Sequence, residues 1–381
     1  MIQGADRLNT VEEYYFSKKL REVAMLKAAG KPIINLGIGS PDLDPPYRAL
    51  HALNESLDDA TAHKYQSYQG IPELRESMAD FYKANFGVSL SAATEILPLM
   101  GSKEGIMHIS LAFLNPGDEA LIPNPGYPTY SSVTNLIGAK PVYYNLIEEN
   151  HWHPDLVELE TMDLSKVKIM WINYPHMPTG AVGTNKMFEN LIAFAKRNDI
   201  LIINDNPYSF ILNDYPRSIL KYKDSKNYCL ELNSISKTFN MAGWRVGMVL
   251  GKHEYLQNIL KVKSNMDSGM FYGIQKGAAE ALQCSKVWFM SLNNVYEIRR
   301  DLVWELADAL NCTYDKSASG LFVWAKLPPL VKAEEFIELI LKNHSIFIAP
   351  GTIFGSNGEG YIRFSLCATT EEIEEAIARV K

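Results

Sequence analysis

The chain is poor in cysteine: the four it has (Cys229, Cys284, Cys312, Cys367) are scattered through 381 residues without a C-x-x-C pair. Neither a disulfide framework nor a zinc clip is built that way, so the sequence reads as a reduced, cytoplasmic protein. It has no run of about eighteen apolar residues, the length a membrane-spanning helix needs. The amino terminus, "MIQGADRLNTVEEYY", lacks the basic-then-apolar pattern of a secretory leader. Positive charge is also short. A formal net charge of -7 argues against nucleic acid as a partner, because that requires a clustered basic face. Brief basic stretches such as Lys18-Lys19-Leu20-Arg21 read as solvated helix faces. Internal repeats and low-complexity segments are missing as well.

What is present is the composition of an ordinary folded protein, 47% hydrophobic and 21% charged. The length suits two domains, or one large domain with a smaller one attached. Between about residues 95 and 251, short and almost wholly apolar runs alternate with amphipathic stretches. The runs are "GDEALIP" (117–123), "VKIMWINYP" (167–175), "DILIINDNPY" (199–208), "YCLELNSIS" (228–236) and "GMVLG" (247–251). Strands buried on both faces look like this, so the expected architecture is α/β, a mostly parallel sheet flanked by helices. Helices are predicted over 103–114 and 184–198, and a long amphipathic one over 293–310. From about 285 onward helices and strands mix with hairpin-like spacing, which points to a smaller α+β domain.

Several familiar sites are excluded. "LGIGSPD" has no third glycine for a dinucleotide fingerprint, and "GSKEG" lacks the spacing of a nucleotide P-loop. "HWH" at 151–153 has no third ligand in sight and reads as a loop pair, so no metal is expected. Other residues fall at strand ends or helix starts, the edge of an open α/β sheet where ligands gather. Gly101 and Ser102 close an extended segment and open a helix. That offers free backbone N–H groups to a phosphate, or simply an N-cap by Ser102. Asp205 follows "ILIIN", where a carboxylate needs a partner, expected to be a cation, unless it only caps the next turn. Lys237 follows the next run among Ser234, Ser236 and Thr238, with the planar fork of Arg245 eight residues on. Singly, each has a structural explanation. Together, an amine that forms a Schiff base, a carboxylate for a pyridinium nitrogen and a phosphate cradle are what pyridoxal phosphate requires.

The stretch "SISKTFNMAGWRVG", with "NYPHMPTG" (173–180), "NDNPYSF" (204–210) and "KYQSYQGIPELR" (64–75), resembles the class I/II aminotransferase family of fold-type I pyridoxal-phosphate enzymes, relatives of aspartate aminotransferase. The likeness runs from "NLGIGSPD" to "YIRFSL". It implies an amino-terminal segment (1–45) joining the small domain, a large cofactor-binding domain (46–284) and a small carboxyl-terminal domain (285–381). By resemblance, Lys237 is the Schiff-base lysine and proton-transfer base. Asp205 is the partner of the pyridine nitrogen, and Tyr208 the donor to the phenolate oxygen. Gly101, Ser102, Lys103, Ser234, Ser236 and Arg245 match the phosphate cup, Lys103 mainly through its backbone N–H. Tyr127 matches the aromatic that stacks on the cofactor ring. Arg363 matches the arginine that grips the substrate's α-carboxylate, with a backbone contact from Gly39. Tyr65 resembles a tyrosine that reaches the phosphate of a neighbouring subunit, which implies a homodimer with shared sites, and 264–271 is expected near the same interface.

One position departs from the family pattern. Where Asn-Pro-x-Asn-Pro-Thr-Gly is usual, this chain has Tyr174 and Met177 for the two asparagines. A thioether cannot donate a hydrogen bond. The cofactor-bound lysine is therefore expected to keep its proton to higher pH than in relatives with the asparagine. The resemblance implies amino transfer between an amino acid and a 2-oxo acid with ping-pong kinetics. A β-lyase, a decarboxylase or a non-catalytic sensor on the same fold are the alternatives. For the side-chain pocket, Tyr14, Tyr15, Phe16 and "GLFVW" (320–324) are candidates that serve equally well as core.

Overall fold

The computed structural model describes residues 2–381. The strands, in chain order, are β1 (Ile34–Asn35), β2 (Ile96–Leu99), β3 (Glu119–Asn124), β4 (Lys140–Asn145), β5 (Val167–Ile172), β6 (Leu201–Asp205), β7 (Cys229–Ser234), β8 (Gly247–Leu250), β9 (Thr313–Tyr314), β10 (Phe322–Lys326), β11 (Ile346–Phe347), β12 (Ala349–Pro350) and β13 (Tyr361–Ser365). β2 to β8 form one sheet in the order β2-β8-β7-β6-β5-β3-β4. It is parallel from β7 through β4, while β8 runs antiparallel to both of its neighbours.

Alternation along the central strands explains their apolar sequences. Ile169, Trp171 and Ile203 pack into one hydrophobic cluster, whereas Met170, Ile172 and Ile202 pack into another on the opposite face. Both faces are therefore covered, as a parallel sheet with helical crossovers demands. The helix Asn185–Asn198 shows how such a crossover is built. Thr184 caps it by accepting from the Met187 N–H at 3.1 Å, its apolar stripe is buried, and Asp199 ends it in the left-handed region.

The carboxyl-terminal part carries a four-stranded antiparallel sheet, β12-β13-β10-β9. The helices Lys286–Ala309 and Thr370–Val380 pack together beside it, the latter opened by a Thr369/Glu372 capping box. The amino-terminal segment is bound to this part in two places. β1 pairs in parallel with β11, and Asp42 receives both terminal nitrogens of the buried Arg299 at 2.7 Å. Among the described residues no helix is long and apolar enough to cross a membrane.

Three local expectations need correction. The long helix starts at Lys286, not Asn293, because "VWFMSL" continues its apolar stripe upstream. β4 was not anticipated. It lies at the sheet's edge, where its mixed burial erases the apolar run of a central strand. Lys19 is buried, not solvated, and its amine bonds to Glu338 and to Glu22.

Candidate active site

The strand ends converge on a cavity of about 640 Å³ between the large sheet and β13. Gly39, Ser102, Lys103, Tyr127, Asp205, Tyr208, Ser234, Ser236, Lys237, Arg245 and Arg363 all line it. Gly101 stands just behind, at the N-cap of the helix Ser102–Phe113. Its φ of 89° suits glycine, and a Cβ there would lie 2.1 Å from Nη2 of Arg245. Ser102 is the first helical residue and makes no capping bond, so the plain N-cap reading of this serine does not hold. Backbone N–H groups at the start of that helix, with the Arg245 guanidinium beside them, make a cradle for an anion.

Asp205 ends β6 and is buried. Among the described residues the expected cationic partner is not there. Oδ2 accepts from the Tyr130 hydroxyl at 2.8 Å, and Oδ1 has no partner. Burial pushes its pKa up to about 7, against the pull of Tyr130. A buried carboxylate oxygen left open in a cavity is a place for a cationic N–H.

Lys237 lies on the short helix Ile235–Thr238, whose N-cap Ser234 accepts from the Ser236 N–H. Its amine donates to the Gly39 carbonyl at 2.5 Å. Burial lowers its pKa, and Arg363 and Arg245 push the same way while the Cys367 thiol opposes them. A lysine so placed is easier to convert to the neutral, nucleophilic amine.

Arg363 comes from β13 and is 4% exposed. Its guanidinium lies over Phe322 at 3.9 Å, Phe354 at 4.7 Å and Phe16 at 5.4 Å. Nη2 donates to the Gly37 carbonyl at 2.7 Å, Nη1 to the Met177 sulfur at 3.3 Å, and Nε has no partner. Among the described residues no carboxylate neutralises it, and burial lowers its pKa to about 10. The arrangement leaves a buried cation waiting for an anion.

The family model for "Aminotransferase class I and II" matches residues 31–380. The chain belongs to that family. It is 38% identical to the LL-diaminopimelate aminotransferase of Halothermothrix orenii, over 100% of this chain and 98% of that one. With the enzyme of the same name from Aquifex aeolicus it shares 37% identity, over 100% and 99% of the two chains. Among solved structures, substrate-bound BacF from Bacillus subtilis superposes with a TM-score of 0.95 at 34% identity, covering 100% and 97%. A mutant aspartate aminotransferase of Thermus thermophilus gives 0.92 at 25%, covering 100% and 99%. The fold is thus the fold-type I architecture, and the protein is an aminotransferase acting on amino acids and 2-oxo acids.

This aminotransferase depends on pyridoxal phosphate, as its family does, and its residues fit the cofactor. The open Oδ1 of Asp205 suits a pyridinium N–H, and the glycine-lined cradle at Gly101 suits a phosphate. Tyr127 lies edge-on to Tyr130, whose ring stacks on Trp171. Tyr208 meets the edge of Phe322, and burial raises the pKa of its hydroxyl, so it stays protonated and able to donate.

Tyr65 is not brought to the cavity of its own chain. It is 88% exposed and lines a separate groove with His63, Gln66, Gly269 and Phe271, so the loop and the 264–271 segment do meet. Of the aromatic candidates, Tyr14, Phe16 and Phe322 face the cavity, whereas Tyr15 does not line it and Trp324 stacks on Tyr361. "HWH" is a loop in which Trp152 joins the core and His153 bonds the Val182 carbonyl.

Sequence reasoning missed Tyr130 and Asn173. Tyr130 lies in the first turn of the helix Thr129–Leu136, just after Tyr127, and the two rings are 5.6 Å apart. Asn173 follows β5 and donates to the Asp205 carbonyl while accepting from the Met177 N–H at 2.8 Å. Its amide thus ties the ends of β5 and β6 together and lines the cavity. Also unanticipated is a cluster of Glu104, His108 and Asp267 behind the anion cradle, where the buried Lys263 ammonium bonds Asp267 at 2.7 Å.

Proposed function

We propose that this aminotransferase takes as amino donor an amino acid whose side chain ends in a second carboxylate. The observation that carries the reading is Lys103. Cations outnumber carboxylates along the cavity: Lys103, Lys237, Arg245 and Arg363 against Asp205. In the roles we assign, Lys237 is spent on the cofactor, Arg245 on its phosphate and Arg363 on the α-carboxylate. Lys103 remains, its ammonium 4.6 Å above the ring of Tyr14. Tyr14, Phe16, Leu20 and Ile38 give an apolar wall for the methylene stem of such a side chain. LL-diaminopimelate, for which the curated relatives are named, is an amino acid of this kind.

The chain's own groups divide the work as follows. Arg363 binds the α-carboxylate through the nitrogens that face no other anion. Asp205 holds the pyridine nitrogen protonated, and Tyr208 donates to the phenolate oxygen. Ser102, Ser234, Ser236, Arg245 and the N–H groups following Gly101 hold the phosphate. Bound pyridoxal phosphate supplies an electron sink for the pair left behind at the substrate's α-carbon. Lys237 Nζ takes the proton from that carbon, and Arg363 and Arg245 favour its neutral form.

The functional unit we propose is a cytoplasmic homodimer with shared sites, in which the exposed Tyr65 completes the partner's phosphate cup. Within each chain, residues 1–45, 46–284 and 285–381 form the joining segment, the large domain and the small domain. Lys103→Met tests the donor assignment. Burst rates of cofactor absorbance loss with LL-diaminopimelate or glutamate should fall about fivefold, the upper end for an ion pair made by a solvent-exposed lysine. Norleucine, with no second carboxylate, should change far less. An equal loss for all donors would mean that Lys103 serves the phosphate instead.

A further inference from the structure

We propose that Met177 is a placeholder for the substrate carboxylate: its sulfur is a weak, displaceable partner that meets one edge of Arg363 until that carboxylate replaces it. The proposal rests on the reading that Arg363 receives that carboxylate. Met177 is 5% exposed and lines the cavity. Its backbone is pinned, because its N–H donates to Asn173 Oδ1 and the Asn173 amide in turn donates to the Asp205 carbonyl. The backbone that carries the sulfur is thereby fixed relative to the strand end of Asp205, and the sulfur lies 3.3 Å from Nη1 of Arg363.

The chemistry of the contact decides what it does. A guanidinium with no acceptor in a dry site bears an unmet desolvation cost. An oxygen acceptor at the same place would bind Nη1 strongly and compete with the substrate. A carboxylate there would neutralise the cation outright. A thioether is a weak acceptor with a polarizable surface. It meets Nη1 only weakly and is cheap to displace. The other contacts of Arg363 suit this division: the Gly37 carbonyl fixes Nη2, and the rings of Phe16, Phe322 and Phe354 fix the plane.

The test is competitive inhibition of the holoenzyme by hexanoate, an unreactive monocarboxylate that bears no group for Lys103. Met177→Leu removes the acceptor at nearly constant volume, so only the bound carboxylate satisfies Nη1, and Ki should fall about threefold. Met177→Gln supplies a strong oxygen acceptor, and Ki should rise about tenfold. KM for amino donors should move in the same directions. A residue that merely packs would weaken binding in both variants, so a rise of Ki in Met177→Leu overturns the proposal, even if the glutamine variant does not fold. Arg363→Gln separates the two levels. If it leaves the Ki of hexanoate unchanged, the assignment of Arg363 is wrong. If it raises Ki while the two Met177 variants do not diverge, only the role of Met177 is wrong.

Discussion

The two oxygens of Asp205 are treated differently, one bonded to Tyr130 and one open to the cavity. In the cofactor-free protein this carboxyl titrates far above its ordinary value, and the sign of the consequence follows. The folded state holds the proton up to about 7, the unfolded chain releases it near 3.8. Between those values the native state binds more protons, so stability falls as pH rises, and the fall ends above about 7. Thermal unfolding of cofactor-free protein at pH 5 and pH 7.5 should show this slope, and Asp205→Asn should lessen it, the buried Glu231, raised by burial in the same way, keeping the rest. The variant should also bind the cofactor more weakly, because a neutral amide does not stabilise a pyridinium. A slope unaltered in Asp205→Asn would place the titrating group elsewhere. Residues like this one were legible in the sequence because strand ends, hydroxyls and an arginine fell in a fixed order. The contact between Met177 and Arg363 was not, since 186 residues separate the two partners. The sequence showed only that a donor was missing at 177; that the thioether faces Arg363 follows from how β5 and β13 are set against each other.

At the scale of elements, the junction between β2 and the helix Ser102–Phe113 does the most with the fewest atoms. Gly101 turns the chain in the left-handed region and leaves room for Arg245. Gly101→Ala should cost about 1–3 kcal/mol from backbone strain. The added Cβ would also push the Arg245 guanidinium from the cradle, so cofactor affinity should drop more than stability does. Gly87→Ala is the control. It too has a positive φ, 69°, but a Cβ added there would meet nothing within 4 Å. That variant should lose stability alone, measured by denaturant unfolding beside a cofactor titration. Similar loss of affinity in both would reduce Gly101 to a turn residue. The central strands and the helix Asn185–Asn198 could be read from sequence because burial on two faces, or on one stripe, leaves a periodic trace. β4 and the first turns of Lys286–Ala309 could not: an edge strand is half solvated, and a helix start without a side-chain cap has no punctuation.

For the whole molecule, the decisive residue is the one that does not reach its own cavity. Tyr65 and Phe271 stand exposed on the same groove, with Met266 exposed on the neighbouring segment. Burying that much apolar surface against a second copy is favourable, and the proposed dimer requires each Tyr65 to serve the other chain's cradle. Complementation distinguishes a shared site from a self-contained one. Tyr65→Ala and Lys237→Ala should each be impaired, the latter by about 10²–10⁴-fold or more, as expected when a positioned base is removed. In a mixed dimer with shared sites, one cavity receives both defects and the other receives neither. Unfolding and refolding the two variants together at equal amounts should then restore about a quarter of wild-type activity, since half of randomly paired dimers are mixed and each has one intact site. If every cavity is built from one chain, each subunit of a mixed dimer keeps its own defect, and no activity above the sum of the two variants returns.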